Sequence, residues 1–159
     1  MKTNAARLLD MQGIKYDLID YDVDESDLSA VSVAEKLNQN AEQVFKTLVL
    51  RGDDAGIFVC IVPGSEEIDL KKAARISGHK NAAMVPVKEI LNLTGYIRGG
   101  CSPIGMKKNY PTYIDESCIL YDYIFVSAGI RGLQLKISPD DLIRASNSVV
   151  GDLILQKRL

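Results

Sequence analysis

Apolar positions recur along the chain in two rhythms. Ala5, Ala6, Leu8 and Leu9 follow the polar pair Thr3-Asn4 and stop at Gly13, which predicts a helix over residues 3–12. Residues 14–21 read as a strand, followed by the acidic loop Asp22-Val23-Asp24-Glu25-Ser26-Asp27. Ser32-Val33-Ala34-Glu35 fits a capping box, so a short helix is expected from there to about Asn38. Residues 44–50 and 57–62 are rich in β-formers and are joined by Arg51-Gly52-Asp53-Asp54-Ala55-Gly56, a hairpin pattern. Residues 69–77 look helical, and Pro86 can open another helix with Val87, Ile90, Leu91 and Leu93 as its apolar positions. A glycine-rich stretch then runs from Gly95 to Gly105. Residues 110–114, 121–127 and 133–138 are strand candidates, and Ser138-Pro139-Asp140-Asp141 caps a last helix over about 139–147.

Hairpins and helices interleave without strict alternation of strand and helix. This predicts an α+β fold with a mixed, mostly antiparallel sheet rather than a doubly wound parallel one. The 159 residues, 47% hydrophobic and 25% charged, favour a single domain over 1–159 with a sizeable core. No basic segment followed by an apolar run opens the chain, and no stretch approaches the roughly 18 apolar residues of a spanning helix. A cytoplasmic protein with no membrane partner is expected. The three cysteines, Cys60, Cys101 and Cys118, form no CxxC pair and no zinc spacing, and read as reduced thiols. The carboxylates of residues 22–27 lack the glycine and closing glutamate of a calcium loop, so neither a metal nor an organic cofactor is expected. A net charge of −2 lacks the basic surplus of proteins that grip long stretches of nucleic acid. An RNA partner would therefore touch a small or locally basic patch. Arg7, Lys71, Lys72 and Arg75 recur at helical positions and read as a solvated face.

Three segments carry candidate chemistry. In Val44-Phe45-Lys46-Thr47-Leu48-Val49-Leu50, strand alternation puts Phe45, Thr47 and Val49 on one side and Lys46, Leu48 and Leu50 on the other. An ammonium on an otherwise apolar row needs an anion or a water-filled cleft, unless it guards a strand edge or reaches to water. In Gly95-Tyr96-Ile97-Arg98-Gly99-Gly100-Cys101-Ser102-Pro103-Ile104-Gly105, glycines let successive backbone N–H groups approach an oxyanion, although the pattern also suits an ordinary turn. It is no phosphate-binding Walker loop, because no Gly-Lys-Ser/Thr follows. In Phe125-Val126-Ser127-Ala128-Gly129-Ile130-Arg131-Gly132-Leu133, a strand runs into a Gly-x-x-Gly turn with Ser127 at its end. The sole histidine, His79, reads as a surface residue, which makes a Ser-His-Asp mechanism improbable. Cys101 could be a nucleophile but has no evident base.

Together these segments resemble the YbaK/EbsC family, free-standing relatives of the editing domain inserted in bacterial prolyl-tRNA synthetases. The marks are Tyr21-Asp22, Phe45-Lys46-Thr47-Leu48, Leu70-Lys71-Lys72-Ala73-Ala74, Thr94-Gly95-Tyr96, Gly99-Gly100-Cys101-Ser102-Pro103-Ile104-Gly105 and Val126-Ser127-Ala128-Gly129-x-Arg131-Gly132-Leu133, in that order over nearly the whole length. The resemblance implies a central barrel-like sheet flanked by helices. It also implies hydrolysis of mischarged tRNA, most often Cys-tRNA(Pro), with Ala- or Ser-tRNA as the alternative substrates and a non-catalytic tRNA-binding module as the rival. By this resemblance Lys46 would engage the tRNA's 3′ terminus. The backbone of Gly99, Gly100, Cys101 and Ser102, in the loop closed by Pro103, would cradle the ester. Tyr21, Thr47, Pro103, Ser127, Gly129 and Arg131 would contact substrate. Prolyl-tRNA synthetase is implied as a partner alongside the aminoacyl-tRNA. Three departures stand out: Gln134 where some cysteine-specific members have aspartate, Ala128 for a common glycine, and Cys101 for an apolar residue.

Overall fold

A computed structural model describes residues 2–156, so the last three residues of the tail 151–159 lie outside the described residues. The elements run α1 (Asn4–Met11), β1 (Asp17–Asp20), α2 (Ala30–Leu37), β2 (Phe45–Gly52), β3 (Ile57–Pro63), α3 (Leu70–Ser77), β4 (Ala82–Met84), α4 (Val87–Thr94), β5 (Thr112–Asp115), β6 (Ile124–Ser127), β7 (Leu133–Ile137), α5 (Pro139–Ser146) and β8 (Val149–Gly151). Side chains cap the helices where local sequence allows. Thr3 accepts from the Ala6 N–H, Asp69 from Lys71 and Lys72, and Ser138 from Asp141. The second helix begins earlier than its capping box suggested. Ser29 is its cap, and Ser32 donates its N–H to the Ser29 hydroxyl at 3.2 Å. Asp27 makes that possible by accepting the Ser29 N–H at 3.1 Å.

The strands form two sheets. One is three-stranded and antiparallel in the order β1-β7-β6; the other is five-stranded and mixed in the order β4-β2-β3-β5-β8. An isolated bridge between Val44 and Phe125 joins them, so the barrel-like arrangement stays open rather than closing on itself. The expected hairpin is β2–β3, with Lys46 opposite Val62, Thr47 opposite Ile61 and Leu48 opposite Cys60. The parallel ladders β3–β5 and β5–β8 and the three-residue strands β4 and β8 went unread in the sequence. Such short strands carry no measurable periodicity, and their pairing is set by distant segments.

The β2–β3 hairpin faces a core on each side. Phe45, Val59 and Ile61 join Leu9, Val126, Leu135 and Leu142 in the larger core, between the two sheets and under α1 and α5. Leu50, Phe58, Cys60 and Val62 pack with Ala73 of α3 and Leu153 of the tail in the smaller one. Asp115 holds the tail in place: 1% exposed, it accepts from the Leu153 N–H at 2.9 Å and the Ser117 N–H at 3.1 Å. Asp115→Ala should therefore lower unfolding free energy by about 2 kcal/mol, read by urea titration. A loss under about 0.5 kcal/mol would show that Leu153 is held without this carboxylate, by packing and by its bond to the Asp69 N–H.

Candidate active site

The first half of β2 and its neighbours enclose a cavity of about 400 Å³. Lys46 and Thr47 line it from β2, Leu28 and Val33 from the α2 side, Val87 and Ile90 from α4, and Ser127 and Gln134 from β6 and β7. Arg98, Gly99 and Cys101 of the glycine loop close it. Among the described residues, two cations and no carboxylate line it. The wall supplied by α4 is pinned to β2 by the Arg51–Glu89 ion pair at 2.7 Å.

Lys46 sits at the end of an apolar row shared with Leu48 and Leu50, half-buried beside the cavity. Burial pulls its pKa below the ordinary lysine value, and the carboxylates of Glu67 and Glu66 push part of the way back. Among the described residues its ammonium donates no hydrogen bond. A desolvated cation of this kind gains when an anion enters the cavity.

The glycine loop is braced on both flanks. Gly100 donates its N–H to the Ile97 carbonyl at 2.9 Å, closing a turn. A Cβ at Gly100 would lie 3.1 Å from backbone atoms of Ile130 and Arg131, so a side chain there would push the loop a few tenths of an ångström off the β6–β7 turn. Arg131 completes the clasp: Nε donates to the Arg98 carbonyl at 2.8 Å, and Nη1 pairs with Glu25 of the acidic loop at 2.6 Å. On the other flank Tyr96 donates its hydroxyl to the Ile104 carbonyl at 2.5 Å. Gly129, at φ +110°, would drive a Cβ to 2.9 Å from the Tyr96 ring. Gly100 is committed to Ile97, while Gly99 and Cys101, which line the cavity, donate no main-chain hydrogen bond among the described residues.

Lys46, Thr47, Gly99, Cys101 and Ser127 thus meet at one cavity, whereas Tyr21, Gly100, Ser102, Pro103, Gly129 and Arg131 do not line it. Ser102 is fully buried, its hydroxyl accepting from the Ile104 N–H at 3.2 Å. Pro103 lines a second cavity with Tyr110 and Asn147. Tyr21 packs beside Val33 and Phe125, and its N–H donates to the Gly132 carbonyl at 3.0 Å. Arg98 and Gln134 line the cavity but were not among the candidates drawn from the sequence. Arg98 could have been suspected from its place directly before Gly99-Gly100. Gln134 stood out in the sequence only as a departure from an aspartate of cysteine-specific members; its place opposite Ser127 is set by the β6–β7 register.

Burial pushes the Cys101 thiol up to about 11, so it stays protonated at neutral pH and is a poor nucleophile. Ser127 accepts from the Gly129 N–H at 3.2 Å. His79 is not a surface residue: it stacks on Phe58 at 5.3 Å and lies 3.2 Å from Asp54 and 3.5 Å from Asp53 at the β2–β3 hairpin. In the acidic loop Asp24 accepts from the N–H and hydroxyl of Ser26. Among the described residues no cluster of three or more His, Cys, Asp or Glu could share a metal ion.

Comparison with known proteins settles the family. The model of the aminoacyl-tRNA editing domain matches residues 25–145. The chain belongs to the aminoacyl-tRNA editing domain family. EbsC of Enterococcus faecalis, a candidate Cys-tRNA(Pro)/Cys-tRNA(Cys) deacylase, is 43% identical over 152 residues, covering 96% of this chain and 93% of EbsC. Part of the proline–tRNA ligase of Thermosipho africanus is 34% identical over 76 residues, which are 48% of this chain and 13% of the ligase. The crystal structure of a candidate trans-editing enzyme for prolyl-tRNA synthetase superposes with a TM-score of 0.81 over 98% of this chain and all of that one. At 24% identity that likeness is one of fold. Among the described residues no helix of this editing domain is long and apolar enough to cross a membrane.

Arg131 binds two loops of the editing domain together from outside the cavity, which makes it a positioning residue. Arg131→Ala should speed hydrogen–deuterium exchange at residues 98–101 and cost no more than about 1 kcal/mol of stability, since its ion pair is solvent-facing. Exchange at wild-type rate in that loop would show that the glycine packing holds it without the guanidinium.

Proposed function

We propose that this editing domain hydrolyses the ester joining a wrongly attached amino acid to the 3′ end of a tRNA, with Cys-tRNA(Pro) as the leading substrate. The supporting observation is the shared cavity: a half-buried cation on one wall and unspent main-chain donors on another. The relationship to EbsC and to a proline–tRNA ligase points in the same direction, and makes prolyl-tRNA synthetase the natural partner for selecting the tRNA.

An aminoacyl ester is already activated, so placement and charge stabilisation supply most of what hydrolysis needs. Lys46 would hold the terminal phosphate, recovering the solvation its ammonium lost on folding. Met84 and Val87, exposed and lining the cavity, would meet the apolar faces of the terminal nucleoside. The N–H groups of Gly99 and Cys101 would donate to the ester carbonyl oxygen as it gains negative charge. Among the described residues no carboxylate or histidine lines the cavity, and the Cys101 thiol is protonated, so the attacking group comes from the substrate or from water. With a cysteinyl ester, the substrate's sulfur bonds to the carbonyl carbon, the C–O bond breaks, and the thiol proton passes to the departing ribose oxygen. The products are a cyclic thioester and free tRNA. With other esters, water supplies the oxygen and the proton.

Lys46→Met should lower release of amino acid from mischarged tRNA by about 100-fold or more. Its thermal midpoint should equal or exceed that of wild type near neutral pH. The sign follows from the lowered pKa. Protonated Lys46 is less favourable in the folded than in the unfolded chain, and that penalty is present below the folded pKa and fades as pH rises past it. Wild-type release by the methionine variant would remove Lys46 from the mechanism. Tight tRNA binding by wild type with no release at all would make the domain a tRNA-binding module.

A further inference from the structure

The surroundings of the cavity are electrically lopsided. On the α2 side Leu28 and Gly99 separate it from the acidic loop, where Asp22, Asp24 and Asp27 are exposed and Glu25 is already paired with Arg131. On another side stands α4. Its residue Ile90 lines the cavity, Val87 lines it while 54% exposed, and Leu91, one turn on, is 51% exposed. Met84 before the helix and Ile97 after it are exposed as well. An apolar ridge thus starts in the cavity and continues along the outside of α4. Basic groups accompany it. Lys88 is exposed on the same helix, and Lys107 sits at its far end, its ammonium donating to the Asn92 carbonyl at 3.3 Å. Arg98 is exposed where it lines the cavity, and its guanidinium makes no hydrogen bond or ion pair among the described residues. Its main chain is fixed, because its carbonyl accepts from Arg131 Nε at 2.8 Å.

An unpaired nucleic-acid strand is a row of anions carrying flat apolar bases. Proteins hold one with cations along the backbone and with packing surface under the bases. A net charge of −2 offers such a strand no general attraction, so local charge decides where it can run. The acidic loop repels it. Scattered exposed leucines or valines would need no explanation, but a ridge continuous with the cavity and edged by cations is a surface of one chemistry. The eight residues of α4 span about 12 Å, enough to carry nucleotides beyond the one in the cavity.

We propose that the outer face of α4, with Arg98 and Lys88, is the track along which the unpaired 3′ strand of an RNA leaves the cavity. Arg98 takes the phosphate nearest the mouth, and Leu91 lies under a base beyond it. The track fixes the direction from which the RNA approaches, on the α4 side and away from residues 22–27. It deepens the deacylase reading and rests on it only in taking an RNA 3′ end as the cavity's occupant.

The test is fluorescence anisotropy with an uncharged RNA hairpin that ends in an unpaired 3′ CCA, and with the same hairpin made blunt, at several salt concentrations. Wild type should bind the tailed hairpin about tenfold or more tighter than the blunt one. Arg98→Gln should weaken the tailed complex and flatten its plot of log affinity against log salt by about 0.7, the share of one phosphate on a single strand. Arg98→Lys should restore the slope. Leu91→Gln, neutral and compatible with a helix, should weaken the tailed complex by about fivefold and leave the blunt one within about twofold. Both positions are exposed, and a thermal melt of each variant confirms that it is folded. Wild-type affinity and slope in the Arg98 and Leu91 variants overturn the track and leave the ridge to a protein partner. Equal affinity of wild type for the two hairpins also overturns it. Release of amino acid from mischarged tRNA is measured alongside. Release with unaltered RNA binding by the variants overturns this inference alone. The expected binding pattern with no release overturns the deacylase reading and leaves the track standing.

Discussion

Setting the ammonium of Lys46 beside two apolar cores costs solvation free energy, and the register of β2 against β3 decides where that cost falls. Side chains alternate along β2, so Phe45 enters one core while Leu48 and Leu50 face the other. A one-residue slip would move Lys46 into the core now filled by Phe45. Pairing that buries both apolar rows therefore also places the cation at the end of its row, next to the cavity. Stability and site geometry share one constraint.

The opposite wall meets a different demand. Main-chain donors stabilise a developing oxyanion only if they are fixed beforehand, because a loop that must rearrange loses part of the benefit. Here the loop is fixed by contact. Gly100 lies against the backbone of Ile130 and Arg131, Gly129 makes room for the Tyr96 ring, and the Tyr96 hydroxyl ties back to Ile104. Glycines in this loop serve close packing as much as they serve a ligand. The guanidinium of Arg131 does its work from outside the cavity, by joining Arg98 to Glu25.

Much of this could be read from local sequence. The hairpin, the helices capped by Thr3, Asp69 and Ser138, and the turn after Ser127 are recorded in patterns a few residues long. Lys46 stood out because one charge interrupts an apolar period-two row, and the glycine run stood out by composition. Tyr21, Pro103, Gly129 and Arg131 were carried in by resemblance. Tyr21, Gly129 and Arg131 brace a loop or a neighbouring strand instead of lining the walls, and Pro103 lines a separate cavity. Position within a motif does not distinguish touching a site from holding up the residue that touches it.

The sequence by itself determined the class of fold, the β2–β3 hairpin with its misplaced cation, and the family resemblance, because these depend on side-chain periodicity, caps and short motifs. Only tertiary structure decided which groups face the cavity together. The parallel pairing of β5 with β3 and β8, the approach of Gly100 to Ile130, and the placing of Gln134 opposite Ser127 all join segments distant in the chain or depend on strand register. The physical reason is that hydrogen-bond satisfaction is a property of neighbourhoods. Whether a glutamine amide is paired, or a backbone N–H is already spent on a turn, is settled by what packs beside it.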